Sequence, residues 1–77
     1  MKDLKRKVQE TKAKYQYYFG DDNFIKLACQ IKFVNAVHEY AKAEIDGYNI
    51  SDEDFKDMKC DDNALSQMTK LGLSLKI

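Results

Sequence analysis

Apolar side chains recur at alternating spacings of three and four between residues 22 and 46, and this pattern constrains the fold more than any other feature of the chain. Such spacing places side chains on one face of an α-helix. The row consists of Phe24, Leu27, Ile31, Val34, His38, Ala41 and Ile45. A second row lies beside it and consists of Ile25, Ala28, Cys29, Phe33, Ala36, Val37 and Tyr40. Two adjacent apolar rows predict a central helix that is packed on two sides.

The chain has no proline, so glycines and short polar side chains indicate where its helices end and begin. Gly20, Gly47 and Gly72 each follow a helical pattern, where a left-handed C-terminal residue is expected. Side chains that can cap a helix N-terminus stand before the later patterns, at Asp21, Asp22, Asn23, Ser51, Asp61 and Asp62. These signals predict four helices, over residues 2–19, 22–46, 51–59 and 63–71.

The last residues, 73–77, alternate apolar and polar side chains, which taken alone predicts a strand. A lone strand in a helical domain must pack against the bundle or pair with another chain. The length of 77 residues allows one domain, over residues 1–77. We therefore predict an all-α fold, a small bundle of three to four helices with one long central helix over 22–46. The first helix packs antiparallel to it, and the two short helices cover its other side.

The chain lacks the residues that several classes of activity need. A chain of 77 residues forms only a thin core, which leaves little room for a catalytic pocket. No serine or cysteine has a recognisable nucleophile context. Cys29, His38 and Cys60 lack metal-ligand spacing, and no glycine-rich phosphate loop is present. We expect no catalytic residue, no metal and no cofactor. His38 stands on the apolar row, where we expect a hydrogen-bonded core or interface residue.

The sequence also predicts where the chain is located. No stretch approaches the roughly 20 apolar residues of a membrane span, and the charged N-terminus carries no secretory signal. Two cysteines without such a signal favour free thiols in a reducing compartment. We therefore expect a cytoplasmic protein that is not associated with a membrane.

Four aromatic residues fall within residues 15–19, and they cannot all face one side of a helix. Tyr15, Tyr18 and Phe19 can face the core, which leaves Tyr17 pointing elsewhere. Exposed tyrosines favour a protein partner because they offer large contact area at low entropic cost. Two alternatives remain open: the aromatics cap the end of a thin core, or they stack on single-stranded nucleic acid.

The charges are separated along the chain although they sum to zero. Residues 1–20 hold six basic and two acidic side chains, whereas residues 43–63 hold two basic and eight acidic ones. The acidic residues favour helix N-termini, where they suit the helix dipole, and they could also occupy a partner's basic groove. The basic helix could contact phosphates, but a single arginine in the chain disfavours bidentate phosphate contacts, and a solvated helix face is the ordinary explanation.

The sequence best supports a small non-enzymatic protein-binding module, an inhibitor or adaptor that occludes a partner's surface. The composition is typical of A/T-rich genomes, which associates the chain with phages and mobile elements. The predicted partner-binding residues are Tyr15, Tyr17, Tyr18, Asp52, Glu53, Asp57 and Asp61. One alternative is nucleic-acid binding through Lys5, Arg6, Lys12 and Lys14. The other is a structural homodimer, formed through the surplus apolar surface of the long helix and the tail.

Overall fold

The computed structural model describes residues 2–75, and this part of the chain forms four α-helices and no β-strand. The helices are α1 (Lys2–Gln16), α2 (Asn23–Glu44), α3 (Asp52–Met58) and α4 (Asp62–Ser74). The prediction of an all-α bundle with one long helix is confirmed.

Three helices begin at capping residues that the sequence predicted. Asp22 precedes α2, Ser51 precedes α3 and Asp61 precedes α4. Their side-chain oxygens accept hydrogen bonds from backbone N–H groups of the first turn, with the shortest at 2.9 to 3.1 Å in each helix. Each bond satisfies a donor that has no partner within the helix, which explains why these local signals place the helix starts correctly.

The predicted role of the three glycines is correct only for Gly47. This residue follows the end of α2 and has a φ of 84°, the left-handed conformation that glycine adopts without strain. Gly20 has no positive φ and follows α1 at a distance, because α1 already ends at Gln16. Gly72 lies inside α4, so the prediction that it ends this helix is wrong.

Gly72 allows α4 to pack closely against α2. A Cβ atom at this position would lie 2.5 Å from both the Phe33 ring and a Val37 methyl group. The glycine is therefore explained by the approach of two helices, which the sequence of α4 alone does not reveal.

The predicted C-terminal strand is also wrong over residues 73–75. Leu73 and Ser74 belong to α4, and the backbone N–H of Leu75 donates to the carbonyl of Leu71 at 3.1 Å. Leu75 is the C-cap of α4 and packs against the core, and α4 itself ends at Ser74, three residues beyond its predicted end. The remaining residues of the predicted strand, 76–77, lie outside the described part of the chain.

The core lies between the antiparallel pair α1 and α2 and the helix α4. Leu4 of α1 lies near His38 of α2, whereas Lys14 of α1 lies near Ile25, which establishes the antiparallel order. α4 packs along the C-terminal half of α2, and α3 packs on α4. The buried core consists of Val8, Phe33, Val34, Ala36, Val37, Phe55, Leu65 and Met68. Cys29 and Cys60 are free thiols, as predicted.

Only the C-terminal half of α2 is packed on two sides. Val34, His38 and Ala41 of its apolar row are buried, but Phe24 and Leu27 of the same row are exposed. α2 has 22 residues and α4 has only 13, so the short helices do not reach the start of α2. The N-terminal half of α2 therefore leaves apolar side chains open to solvent.

Candidate functional site

Three aromatic side chains are exposed at the end of the bundle where α1 connects to α2. Tyr17, Phe19 and Phe24 have exposed fractions of 68%, 88% and 85%. We call these three residues the hairpin tip. An aromatic side chain offers about 150–250 Å² of surface, so the tip exposes roughly 400 Å². Apolar surface of this size often binds a partner when it forms one patch.

The exposure of Phe19 corrects the prediction that it faces the core. The prediction assumed a helix over residues 2–19, but α1 ends at Gln16. Phe19 therefore does not follow the helical rotation that would turn its ring inward. Tyr17 points to solvent, as expected.

The connection between the helices is held in shape by Tyr18. Its side chain is half-buried, and its hydroxyl donates to the backbone carbonyl of Asp22 at 3.4 Å. A Cβ atom on Gly20 would collide with the Tyr18 hydroxyl, so glycine allows the backbone to close over this ring. Because Asp22 also caps α2, one short segment sets both the turn and the start of the long helix.

A shallow groove between α1 and α2 begins beside the hairpin tip. It encloses about 150 Å³ and is lined by Thr11, Lys14, Ile25, Ala28, Cys29 and Lys32. We call it the lysine groove. Ile25, Ala28 and Cys29 give it an apolar floor, and the half-exposed Ile25 directly follows Phe24 of the tip. Lys14 lies on the α1 side and Lys32 on the α2 side, so the groove has a positive charge on each of its two sides.

A polar network surrounds His38 near the other end of α2. The imidazole is 2% exposed, its Nδ1 lies 2.7 Å from the Tyr48 hydroxyl, and its Nε2 lies 2.9 Å from a carboxylate oxygen of Asp52. Its ring stacks on Phe55 with 4.1 Å between the ring centroids. The prediction of a hydrogen-bonded core histidine is confirmed.

The two bonds indicate which tautomer the neutral His38 ring adopts. An ionised carboxylate only accepts hydrogen bonds, so Nε2 carries the proton that it donates to Asp52. In the neutral ring Nδ1 then accepts from the Tyr48 hydroxyl. Burial raises the pKa of Tyr48, which keeps its phenol protonated and able to donate.

Asp52 also accepts a hydrogen bond from the Lys42 ammonium at 2.9 Å. The hydrogen bond from Lys42, followed by the one from His38, lowers the pKa of Asp52. The same contact with Asp52 raises the pKa of Lys42. The network therefore joins α2, the connection after it and the first residue of α3.

A depression of about 390 Å³ lies beside this network, between α1, α2 and α3. His38 and Asp52 line it, but both ring nitrogens of His38 are already hydrogen-bonded and Phe55 covers one ring face. A general acid or base needs a nitrogen within reach of its substrate. We interpret the network as a structural tie that connects three elements.

The predicted tyrosines differ in their surroundings. Tyr15 stacks on Phe33 with 5.5 Å between ring centroids, Tyr18 is half-buried, and Tyr17 alone projects from the hairpin tip. Of the three predicted tyrosines, only Tyr17 is exposed like Phe19 and Phe24 of the tip.

The predicted acidic residues lie far from the tip. Asp52 belongs to the His38 network, Asp61 caps α4, and Glu53 and Asp57 are exposed on α3. His38, which contacts Asp52, follows Phe24 by fourteen positions, which corresponds to about 21 Å along α2. The tyrosines and the acidic residues therefore do not form one continuous surface.

The predicted basic residues are distributed around α1. Lys5 is exposed, Lys12 is half-buried, and the Arg6 guanidinium lies 3.6 Å from the carboxylate of Glu10. Successive helical residues are rotated by about 100°, so Lys5 and Lys12 lie on one side of α1. Arg6 and Lys14 point in other directions. Lys14 alone lines a groove.

Among residues 2–75, the structure shows neither a membrane-spanning helix nor a cluster of metal ligands. Between residues 2 and 75, no helix is both long and apolar enough to cross a membrane. Within that range, no group of three or more His, Cys, Asp or Glu side chains could hold a metal ion. Comparison of the chain with protein family models, with curated proteins and with solved structures finds no significant match.

Proposed function

We propose that this protein is a non-enzymatic protein-binding module, an inhibitor or adaptor that acts by covering part of a partner's surface. The observation that carries the proposal is the hairpin tip, where Tyr17, Phe19 and Phe24 are all more than two-thirds exposed. The free thiols favour action in a reducing cytoplasm, and the composition favours a phage or mobile-element origin.

Burial of the tip would supply the affinity. Removing about 400 Å² of apolar surface from water contributes on the order of 10 kcal/mol before the entropic costs of association are subtracted. Aromatic side chains have few rotatable bonds, so fixing them in an interface costs little entropy. The cost of association is of similar size, about 4–15 kcal/mol, so the fit of the partner decides the affinity. The partner needs an apolar surface that accepts three rings.

The geometry favours this function over the two other classes. Catalysis is disfavoured because both nitrogens of the single histidine are occupied within the fold. Nucleic-acid binding is disfavoured because Lys5, Arg6 and Lys14 do not share a face. A homodimer would bury the same apolar surface, so the experiment must separate a second copy from a different protein.

The experiment is capture from a host lysate after nuclease treatment, with the purified protein as bait. The tip variant carries Tyr17→Ser, Phe19→Ser and Phe24→Ser, and the matched control carries Leu73→Ser, an exposed apolar residue of α4. We expect the wild type and the control to retain one protein that the tip variant loses, with equal helix content in all three.

Three results would contradict the proposal. Capture of the same protein by the tip variant would show that the tip is not part of the interface. Retention that nuclease abolishes would support the nucleic-acid alternative. A dimer in sedimentation that the tip variant converts to a monomer, without any captured protein, would support the homodimer.

A further inference from the structure

We propose that the lysine groove receives an acidic helix of the partner protein, with one large apolar side chain anchored on the floor and carboxylates on both sides of it. This inference rests on the proposed function and names the chemistry of the partner. The groove adjoins the tip through the consecutive residues Phe24 and Ile25, so one partner can contact both.

The volume of the groove determines the size of the anchor. An apolar space of about 150 Å³ holds a group of the size of benzene. One leucine or phenylalanine side chain therefore fills it. Ile25, Ala28 and Cys29 present only carbon and sulfur side-chain atoms to such an anchor. A polar side chain on this floor would lose its hydrogen bonds to water.

The lysines on the two sides of the groove determine which residues should flank the anchor in the partner. Lys14 and Lys32 are exposed on opposite sides of the floor, and no acidic residue of the described range, 2–75, lines the groove. Among residues 2–75, neither ammonium has a carboxylate within 4 Å. Two unpaired ammonium groups around an apolar floor attract a segment with carboxylates beside its anchor and repel a basic one.

The shape of the groove favours a helix over an extended chain or a nucleic acid. The space between two packed helices accepts the ridge of a third, because side chains three and four residues apart form such a ridge. An amphipathic helix then presents its anchor and its neighbouring carboxylates together. A phosphate backbone would satisfy the lysines but would leave the aliphatic floor uncovered.

The test uses three designed peptides of equal length and helix content. The acidic peptide has leucines at positions i, i+3, i+4 and i+7, flanked by glutamates. The basic peptide has lysines in place of the glutamates, and the third peptide keeps the glutamates but replaces the leucines with serine. Fluorescence anisotropy at 50 mM and 150 mM salt measures each dissociation constant. We expect the acidic peptide to bind at least about tenfold more tightly than the other two.

Charge-reversal variants assign the effect to the groove. Lys14→Glu combined with Lys32→Glu should reverse the preference between the acidic and the basic peptide. Lys14→Gln combined with Lys32→Gln should abolish the preference without reversing it. The matched control, Lys5→Glu with Lys70→Glu, changes the net charge equally at exposed positions outside the groove and should keep the preference. Circular dichroism checks that each variant is folded.

Several results would overturn the inference. They are an acidic peptide that does not bind, equal binding of the acidic and basic peptides, and a control variant that acts like the groove variant. Binding of a dT20 oligonucleotide that depends on Lys14 and Lys32, without peptide binding, would assign the groove to nucleic acid. If only the tip variant loses the captured protein and the groove variant keeps it, the proposed function is supported. The same result contradicts the role of the lysine groove.

Discussion

At the scale of single residues, His38 illustrates how a polar side chain is accommodated in a thin core. Both ring nitrogens are hydrogen-bonded, to Tyr48 and to Asp52, and the ring stacks on Phe55. A buried polar group without partners would cost about 1–3 kcal/mol, so each partner of His38 is structurally important. Among residues 2–75, no buried side-chain nitrogen or oxygen lacks a hydrogen-bond partner.

Removal of the Tyr48 hydroxyl should therefore destabilise the fold. Tyr48→Phe deprives Nδ1 of His38 of its partner, and we expect the free energy of unfolding to fall by about 1–2 kcal/mol in urea denaturation. Tyr17→Phe is the matched control, because Tyr17 is exposed at the tip and should change stability by less than about 0.5 kcal/mol. Equal losses in the two variants would show that the bond to His38 contributes nothing.

Asp52 should make stability depend on pH at the acidic end. Its pKa in the folded protein is lowered by Lys42 and His38 relative to the unfolded chain. The stabilisation is therefore present above the unfolded value of about 4 and is lost as the pH falls through the folded pKa. Asp52→Asn should reduce the loss of stability between pH 6 and pH 3, measured by urea denaturation. Asp57→Asn, an exposed control on α3, should retain the wild-type dependence, and identical curves for both variants would refute this role of Asp52.

At the scale of elements, local signals predict where helices start better than where they end. Asp22, Ser51 and Asp61 each cap a helix through bonds to residues two or three positions away, so a short stretch of sequence contains the whole interaction. The ends of α1 and α4 depend on packing between elements. The sequence of α4 does not show that Gly72 faces Phe33, and for that reason a helix end was predicted there.

Local sequence patterns also reveal only part of the candidate site, because they do not show how the helices pack. The sequence identified Tyr17 as the aromatic residue pointing away from the core, because four rings cannot share one helix face. It could not identify Phe24 as exposed, since the apolar row of α2 has the same pattern where it is buried and where it is open. Coverage of that row depends on the length and position of α4. The partners of His38 were missed because Tyr48 and Asp52 reach it through a turn of irregular spacing.

The contact of α4 with α2 gives a prediction at this scale. Gly72→Ala adds a methyl group that would lie 2.5 Å from Phe33 and Val37. We expect a net loss of about 1–2 kcal/mol, because the overpacking outweighs a gain in helix propensity of up to about 1 kcal/mol. Thermal denaturation followed by circular dichroism measures the change. Ser66→Ala, at an exposed position of α4, is the control and should be neutral or slightly stabilising, and a stabilised Gly72→Ala protein would contradict the close approach.

At the scale of the whole molecule, α2 connects two ends with different properties. One end is closed by the His38 network and by Phe55 of α3, and the other carries the hairpin tip. The molecule is elongated and measures 37 × 27 × 17 Å. A partner can bury the tip without disturbing the hydrogen bonds that tie α3 to α2. The proposed binding surface and the network that supports the fold thus consist of different residues.

We propose that the exposed aromatic tip is a binding surface and not part of the core. The most direct test is retention of the captured protein by the Tyr17→Ser, Phe19→Ser and Phe24→Ser variant after nuclease treatment, compared with the wild type. We predict that retention is lost while the melting temperature stays within about 4 °C of the wild-type value, because surface substitutions change stability little. Undiminished retention, or a variant that fails to fold, would contradict the claim.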